Sequence, residues 1–448
     1  ARLLTRADIG AFAIMAIFAE IFRTISAAGL IQTVAREPVL SKEFTDTVYR
    51  SHMGFSLMAC GVILALAHPF ANFMNAPQIA LPLQVLSIVL PISALGQTHM
   101  ALRLRSFGHK TTALRSVVSG IIGGGAAVVA AFAGFGLWAL VIQRIVTEII
   151  SVILSRASYP WTPGWAWRWT ILKVNLSING SLTATQLVYI FTSRLQELVI
   201  GNVIGIVAVG IYRTAWRTVD IIAGGAIRPF ATVAMQTLAR VKDDRVELRR
   251  AYQWMISKAA VISFPALIGF GTVAPLAVPT IFGDKWIQAG ALAQIFAFMA
   301  PAFTLNQFAS PAFGSLGANR SLLVLSLCQL GLTAIFTFLA APYGVFAVAW
   351  AYVLRAYLTL PMQIILLQRI SGIGFNRTWS AIWQPFVASV TMGIVLHGAM
   401  LATGIASGNN WLRLAMIVGM GVLIYGLVLL TISPLWRALF FKTLRELK

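Results

Sequence analysis

Long apolar runs separated by short polar breaks dominate this chain. Runs of bilayer length fall at 8–34, 47–74, 79–102, 112–134, 136–156, 174–200, 203–235, 252–282, 287–314, 320–341, 343–368, 379–405 and 411–433, which predicts thirteen membrane-spanning helices. The breaks are short and rich in turn residues, as in Ala133-Gly134-Phe135-Gly136 and Ala341-Pro342-Tyr343-Gly344.

The run at 203–235 carries three arginines. Arg213, Arg217, Asp220, Gly224 and Arg228 follow one another at steps of four, three, four and four, so they share one helix face. Each guanidinium at the centre of a membrane helix costs roughly 2.5–3.5 kcal/mol even on lenient scales. Across all predicted spans the bases are Arg23, Arg144, Arg194, Arg213, Arg217, Arg228, Lys258 and Arg355, eight in number, against the four acids Glu20, Glu148, Glu197 and Asp220. Helical spacing pairs Glu20 with Arg23, Arg144 with Glu148, Arg194 with Glu197, and Arg217 with Asp220. Neutralising pairs or interhelical glue account for part of this set, and Arg228 and Lys258 lie near span ends where they can snorkel. Four cations remain over. Arginines lining a wet cavity suit an anion, because the planar fork matches phosphate oxygens and keeps its proton; a diphosphate is the guest they best fit. The run at 174–200 adds Asn175, Asn179, Thr183, Gln186 and Tyr189 ahead of Arg194 and Glu197. Such residues line water, bind sugars or hydrogen-bond between helices. A weaker set, Asn306, Gln307 and Ser310, lies in 287–314.

The loops alternate in charge. Arg36, Lys42 and Arg50 begin one set, which continues through Arg103, Arg105, Lys110 and Arg115 to the Arg240–Arg250 cluster and the tail residues Arg437, Lys442, Arg445 and Lys448. The positive-inside rule makes this set cytoplasmic. Ala1 then starts outside and lacks a preceding methionine, so one more helix is expected upstream, giving fourteen with both termini cytoplasmic. An internal repeat runs through the chain: Phe135-Gly136-Leu137-Trp138 resembles Tyr343-Gly344-Val345-Phe346, Gly108 resembles Gly317, and Pro69 resembles Pro275, at offsets of roughly 208 residues. The fold expected is an all-α polytopic membrane protein of two six-helix bundles related by a pseudo-twofold axis along the membrane normal, plus two C-terminal helices. The division is 1–173 for the first lobe and connector, 174–372 for the second lobe, and 373–448 for the added pair and tail, with the substrate site between lobes.

Composition agrees with this reading. Of 448 residues 58% are hydrophobic and only 10% charged, against about 25% charged in soluble domains. The net charge of +21 belongs to loops at an anionic leaflet, and no basic soluble module is present to bind nucleic acid. Cys60 and Cys328 sit in apolar runs and imply no disulfide framework. The five histidines lack metal-ligand spacing, Gly123–Gly125 is followed by no Lys-Ser/Thr, and no nucleophile–base set appears, so neither a metal site nor an enzyme is expected. Trp161, Trp165, Trp167 and Trp169 form an interfacial belt on the connector.

Several stretches are similar to the polysaccharide transporter branch of the multidrug/oligosaccharidyl-lipid/polysaccharide exporter superfamily, whose members flip lipid-linked oligosaccharides. They are Ala1-Arg2-Leu3-Leu4-Thr5-Arg6-Ala7-Asp8-Ile9-Gly10, Gly29-Leu30-Ile31-Gln32, Ile200-Gly201 with Val209-Gly210-Ile211-Tyr212 and Ala215, and Gly283-Asp284-Lys285-Trp286. Glu197 stands near where the family has an Asp. The resemblance implies alternating access by two lobes in a bacterial inner membrane, moving an undecaprenyl-diphosphate-linked oligosaccharide for exopolysaccharide, capsule or O-antigen assembly. It implies membrane lipids and a polysaccharide polymerase and co-polymerase as partners, no cofactor, and H+ or Na+ as a coupling ion. On this reading Arg23, Arg194, Arg213, Arg217 and Arg355 contact the diphosphate with Arg144 and Arg228 beside them. Asn179, Gln186 and Tyr189 serve the sugars, and Glu20, Glu148, Glu197 and Asp220 hold arginines or couple the ion. The alternatives are a drug or metabolite exporter of the same superfamily, and a membrane polymerase or glycosyltransferase, for which the loops are short.

Overall fold

The computed structural model describes residues 2–30, 33–34, 37, 40–402, 410–433 and 436–437; Ala1, Ile31, Gln32, Arg36, Lys442, Arg445 and Lys448 lie outside them. The described residues are mostly helical and contain no strand. Backbone groups in hydrocarbon must be satisfied within their own segment, and helices do this. Among the described residues eleven helices are long and apolar enough to span a membrane, and a twelfth span arises if the bent pair Asp284–Ala297 and Ala300–Ser315, inclined at 64°, counts as one. These match twelve of the thirteen predicted spans. The thirteenth, 174–200, falls inside a 35-residue helix, Trp169–Val203, whose polar residues keep it from qualifying as apolar.

Large apolar side chains are exposed on nearly every long helix. On the last helix Val422, Leu423 and Leu427 are all more than 60% exposed, as expected where lipid replaces water. Polar groups are buried instead: Ser263 and Thr304 meet at 2.9 Å between helices.

The chain forms two compact units, 1–210 and 211–448. Unit one holds α1 (Arg6–Ala27), α2 (Lys42–Phe73), α3 (Ala80–Ser87), α4 (Val89–Arg105), α5 (His109–Phe132), α6 (Leu137–Ser158) and α7 (Trp169–Val203). α8 (Ile206–Arg240) begins there and continues into unit two, followed by α9 (Arg245–Phe282), α10 (Ile287–Ala297), α11 (Ala300–Gln307), α12 (Ala309–Ser315), α13 (Asn319–Ala340), α14 (Val345–Ser371), α15 (Phe375–Ala402) and α16 (Asn410–Ile432). This cut differs from the one drawn at residue 173, because α7 packs on α1 and α2. The added pair α15 and α16 packs on α9.

The internal repeat is visible in element order. In unit one α2 leads to a 3-10 turn (Pro77–Ile79), the broken helix α3–α4, then α5 and α6. In unit two α9 leads to a 3-10 turn (Asp284–Trp286), the broken helix α10–α12, then α13 and α14. The repeated Gly136 and Gly344 both adopt positive φ just before α6 and α14, a conformation that glycine enters without a Cβ penalty. Gly108 and Gly317 differ: Phe107 takes the left-handed conformation in the first, Gly317 itself in the second.

The quoted motifs have physical causes. Thr5 and Asp8 form a capping box at the start of α1. Gly10 and Gly210 let α1 and α8 touch backbone to backbone; a Cβ on either would collide with a carbonyl oxygen of the other helix. Gly283 opens the 3-10 turn at φ 99° and Trp286 is fully buried beneath it.

Candidate functional site

Each unit carries its own set of membrane-embedded charges. In unit one three neighbouring helices contribute. α1 supplies Glu20 and Arg23, α6 supplies Arg144 and Glu148, and α7 supplies Arg194 and Glu197; α1 packs on both other helices. Arg194 bridges the set, with Nη1 at 3.3 Å from Glu197 Oε1 and Nε at 3.8 Å from Glu20 Oε2. Arg144 Nη2 lies 3.6 Å from Glu148 Oε2 and also feels the charges of Arg23 and Glu20. Arg115, on α5, donates to Ser151 and Ser155 at 2.9 and 3.2 Å. The helical pairs Arg144–Glu148 and Arg194–Glu197 form as spacing predicts. Glu20 does not pair with Arg23: it reaches across to Arg194, because the α1–α7 contact places that guanidinium closer to the carboxylate.

The amide-rich stretch of α7 divides in two. Asn179 is buried and donates to Thr33 Oγ1 at 2.6 Å and to the Asn175 carbonyl at 2.8 Å, so it ties α7 to the segment after α1. Gly29 lies so close that a Cβ there would meet the Asn179 side chain. Gln186 is half-buried and Tyr189 is exposed, so both remain open to a ligand.

Unit two holds Arg213, Arg217, Asp220 and Arg228 on α8, Lys258 on α9 and Arg355 on α14. Asp220, Gly224 and Arg228 share a face as the spacing predicts, but Asp220 pairs with Arg228 and not with Arg217. Arg228 Nη2 lies 3.0 and 3.1 Å from the two carboxylate oxygens, two helical turns away. Gly224 makes this reach possible: a Cβ there would sit 3.2 Å from the guanidinium carbon. Arg217 is exposed and makes no ion pair among the described residues. Trp216 beside it anchors α8 by edge contacts with Phe296, Phe303 and Tyr352. Lys258 is held by cation–π contact with Trp436 at 4.0 Å. Arg355 stands apart, buried on α14 with its guanidinium 4.4 Å from the Tyr352 ring centroid.

Sequence reasoning missed a clamp on the connector between α6 and α7. Asp46 Oδ1 accepts from the Gly164 N–H at 2.9 Å, and Arg50 Nε donates to the Gly164 carbonyl at 3.0 Å. Trp167 and Arg168 add hydrogen bonds to Ser51 and Thr47 on the same helix. The available signal was polar residues at i, i+1, i+4 and i+5 (Asp46, Thr47, Arg50 and Ser51) where an apolar helix should face a neighbour.

Comparison with known proteins agrees with the geometry. A family model described as "Polysaccharide biosynthesis protein" matches residues 1–291. The teichuronic acid biosynthesis protein TuaB of Bacillus subtilis (strain 168) is 25% identical over 381 residues, covering 83% of this chain and 78% of that protein. The succinoglycan biosynthesis transport protein ExoT of Rhizobium meliloti (strain 1021) is 23% identical over 446 residues, covering 98% and 89%. Among solved structures, the lipid II flippase MurJ in its inward closed conformation aligns with a TM-score of 0.77 over 97% of this chain and 93% of that one. At 12% identity this last likeness shows the fold alone.

Proposed function

Given that the chain belongs to the polysaccharide biosynthesis protein family, we propose that it flips an undecaprenyl-diphosphate-linked oligosaccharide across a bacterial inner membrane by alternating access. The observation that carries this reading is the surplus of embedded cations in unit two, above all Arg217, exposed on a membrane helix and without an ion pair among the described residues. Hydrocarbon does not tolerate such a group without compensation, and the diphosphate is the part of the cargo that supplies it. Arg213 and Arg217 of unit two are the arginines assigned to it; Arg194, held by Glu20 and Glu197, and Arg355, buried beside a space too small for a diphosphate, are not. Gln186 and Tyr189 are the side chains of α7 left free for sugars. The acids Glu20 and Glu197, already bound to Arg194, are where a coupling proton or sodium ion would compete with that arginine. The relative ExoT, named a transport protein, supports this class of activity, and the likeness to MurJ supports the fold it needs.

In the host, Arg217→Ala should abolish polymer export while leaving the protein at its normal level in the membrane. Lipid-linked oligosaccharide facing the cytoplasm should accumulate as it does in a deletion strain, and Arg217→Lys should retain part of the activity because it keeps charge without the bidentate fork. Normal export in the alanine variant would remove Arg217 from the site and with it the main support for an anionic cargo.

A further inference from the structure

Unit two contains a second polar place that the cargo reading does not use. One face of α14 carries Tyr352, Arg355, Thr359 and Gln363, at helical steps of three, four and four, and α11 faces it with Phe303 and Asn306. Together they line a cavity of about 50 Å³. A water needs about 10–15 Å³ of such space, so the cavity holds a few waters or one small ion.

Its charge is unbalanced. Arg355 is 6% exposed, its Nε has no hydrogen-bond partner, and among the described residues it makes no ion pair. The cavity wall contains no acid. Stacking on Tyr352 offsets only part of the loss of hydration. An arginine keeps its proton even when buried, so the charge cannot be relieved by titration and an uncompensated buried charge is strongly unfavourable. Of the other polar groups lining it, Asn306 offers donors to an anion. Asn306 Oδ1 is occupied by the Gln329 amide at 3.1 Å, which leaves the Asn306 N–H groups for the cavity. The Thr359 hydroxyl is turned to the Arg355 carbonyl at 3.1 Å, and Gln363 Nε2 donates to the Leu305 carbonyl at 3.0 Å.

We propose that this cavity binds a monoatomic monovalent anion, chloride under cellular conditions, held by the Arg355 guanidinium with the Asn306 amide beside it. One fixed positive charge matches one negative charge. A phosphate dianion would overcompensate it, and the diphosphate of a lipid-linked sugar is too large for the space. The bound ion neutralises the most deeply buried cation of unit two and braces α11 against α14.

The test is the melting temperature of the purified full chain in detergent at constant sodium and constant ionic strength, with chloride, bromide, phosphate or gluconate as the anion. Chloride and bromide should raise it saturably, by about 5 °C at a hundredfold excess over Kd, whereas phosphate and gluconate should not. Arg355→Gln should abolish the halide dependence, and Arg355→Lys should weaken halide binding about tenfold, as expected for loss of the fork. Bromide-soaked crystals should show an anomalous peak between Arg355 and Asn306, a readout that stands even if Arg355→Gln fails to fold. A halide dependence that persists in Arg355→Gln, an equal rise with phosphate, or no bromide peak in the cavity would each overturn the proposal. None of these measurements involves cargo transport, so their failure is separate from failure of the flippase reading.

Discussion

The two units follow one plan of helices but treat embedded charge in opposite ways. Unit one carries Arg23, Arg144 and Arg194 against Glu20, Glu148 and Glu197, a balanced set in which Arg194 joins α7 to α1 and Arg144 pairs with Glu148 within α6. Unit two carries Arg213, Arg217, Arg228, Lys258 and Arg355 against Asp220 alone. The surplus counted over the whole chain therefore lies entirely in unit two. Charges that answer one another fix helices in place. Arg217, which makes no ion pair among the described residues, awaits something from outside the chain. A repeated architecture has thus separated the two uses of a buried ion, holding the fold and holding a ligand.

The sharpest way to break this contrast is to remove an acid from the balanced side. Glu197 is 1% exposed and its carboxylate meets Arg194. Glu197→Leu should destabilise the protein by about 1.5–3 kcal/mol, because it takes the nearer carboxylate from a half-buried guanidinium and leaves it only Glu20 at 3.8 Å. Adding Arg194→Met should recover most of that loss in a double-mutant cycle. Arg217→Ala, on the surplus side, should shift stability by no more than about 0.5 kcal/mol. Melting of the purified variants decides the matter: equal losses in Glu197→Leu and Arg217→Ala would dissolve the distinction between the units.

Much of this was legible in the chain, and the parts that were not share a cause. Apolar run lengths located twelve spans and the long polar helix α7, because bilayer thickness and backbone satisfaction leave few alternatives. The shared face of Asp220, Gly224 and Arg228 followed from period alone. Pairing did not. Helical spacing joins Arg217 to Asp220, yet Arg228 reaches that carboxylate over two turns, since an arginine is long and Gly224 leaves its path clear. Glu20 meets Arg194 on another helix, a contact set by tertiary packing that no local rule predicts. The Arg355 cavity likewise needs α11 and α14 side by side before its spacing of 352, 355, 359 and 363 acquires meaning.

A second and smaller effect asks whether unit one is held by its charge network alone. Asp46 is 1% exposed and, with Arg50, grips the Gly164 peptide from both sides. Asp46→Ala leaves the half-buried Gly164 N–H without its acceptor and should cost about 1 kcal/mol. Asp46→Asn, which keeps an acceptor, should cost less. Proteolysis at the 159–168 connector should accelerate in the alanine variant. An unaltered cleavage rate would mean that the connector is held by its tryptophans and that the embedded charges are the main fastening of unit one.

The smallest expected effect tests the Asp220–Arg228 ion pair of unit two. In Gly224→Ala the new methyl would lie 3.2 Å from the Arg228 guanidinium, closer than the side chain can accept without moving. What must move is the far end of a flexible arginine on an exposed surface, so the shift itself is inexpensive. The Asp220 pair would loosen, and exposed pairs are worth about 0–1 kcal/mol. Alanine in place of glycine gains about as much in helix propensity. The two nearly cancel, and the melting temperature should stay within what 0.5 kcal/mol allows on the scale of about 2–4 °C per kcal/mol. Asp220 would then be free to turn to Arg217, one turn before it, so export should fall while stability holds. A stability loss above about 2 kcal/mol would show the Asp220–Arg228 pair to be desolvated and structural, and unit two would then resemble unit one more closely than its charge count suggests.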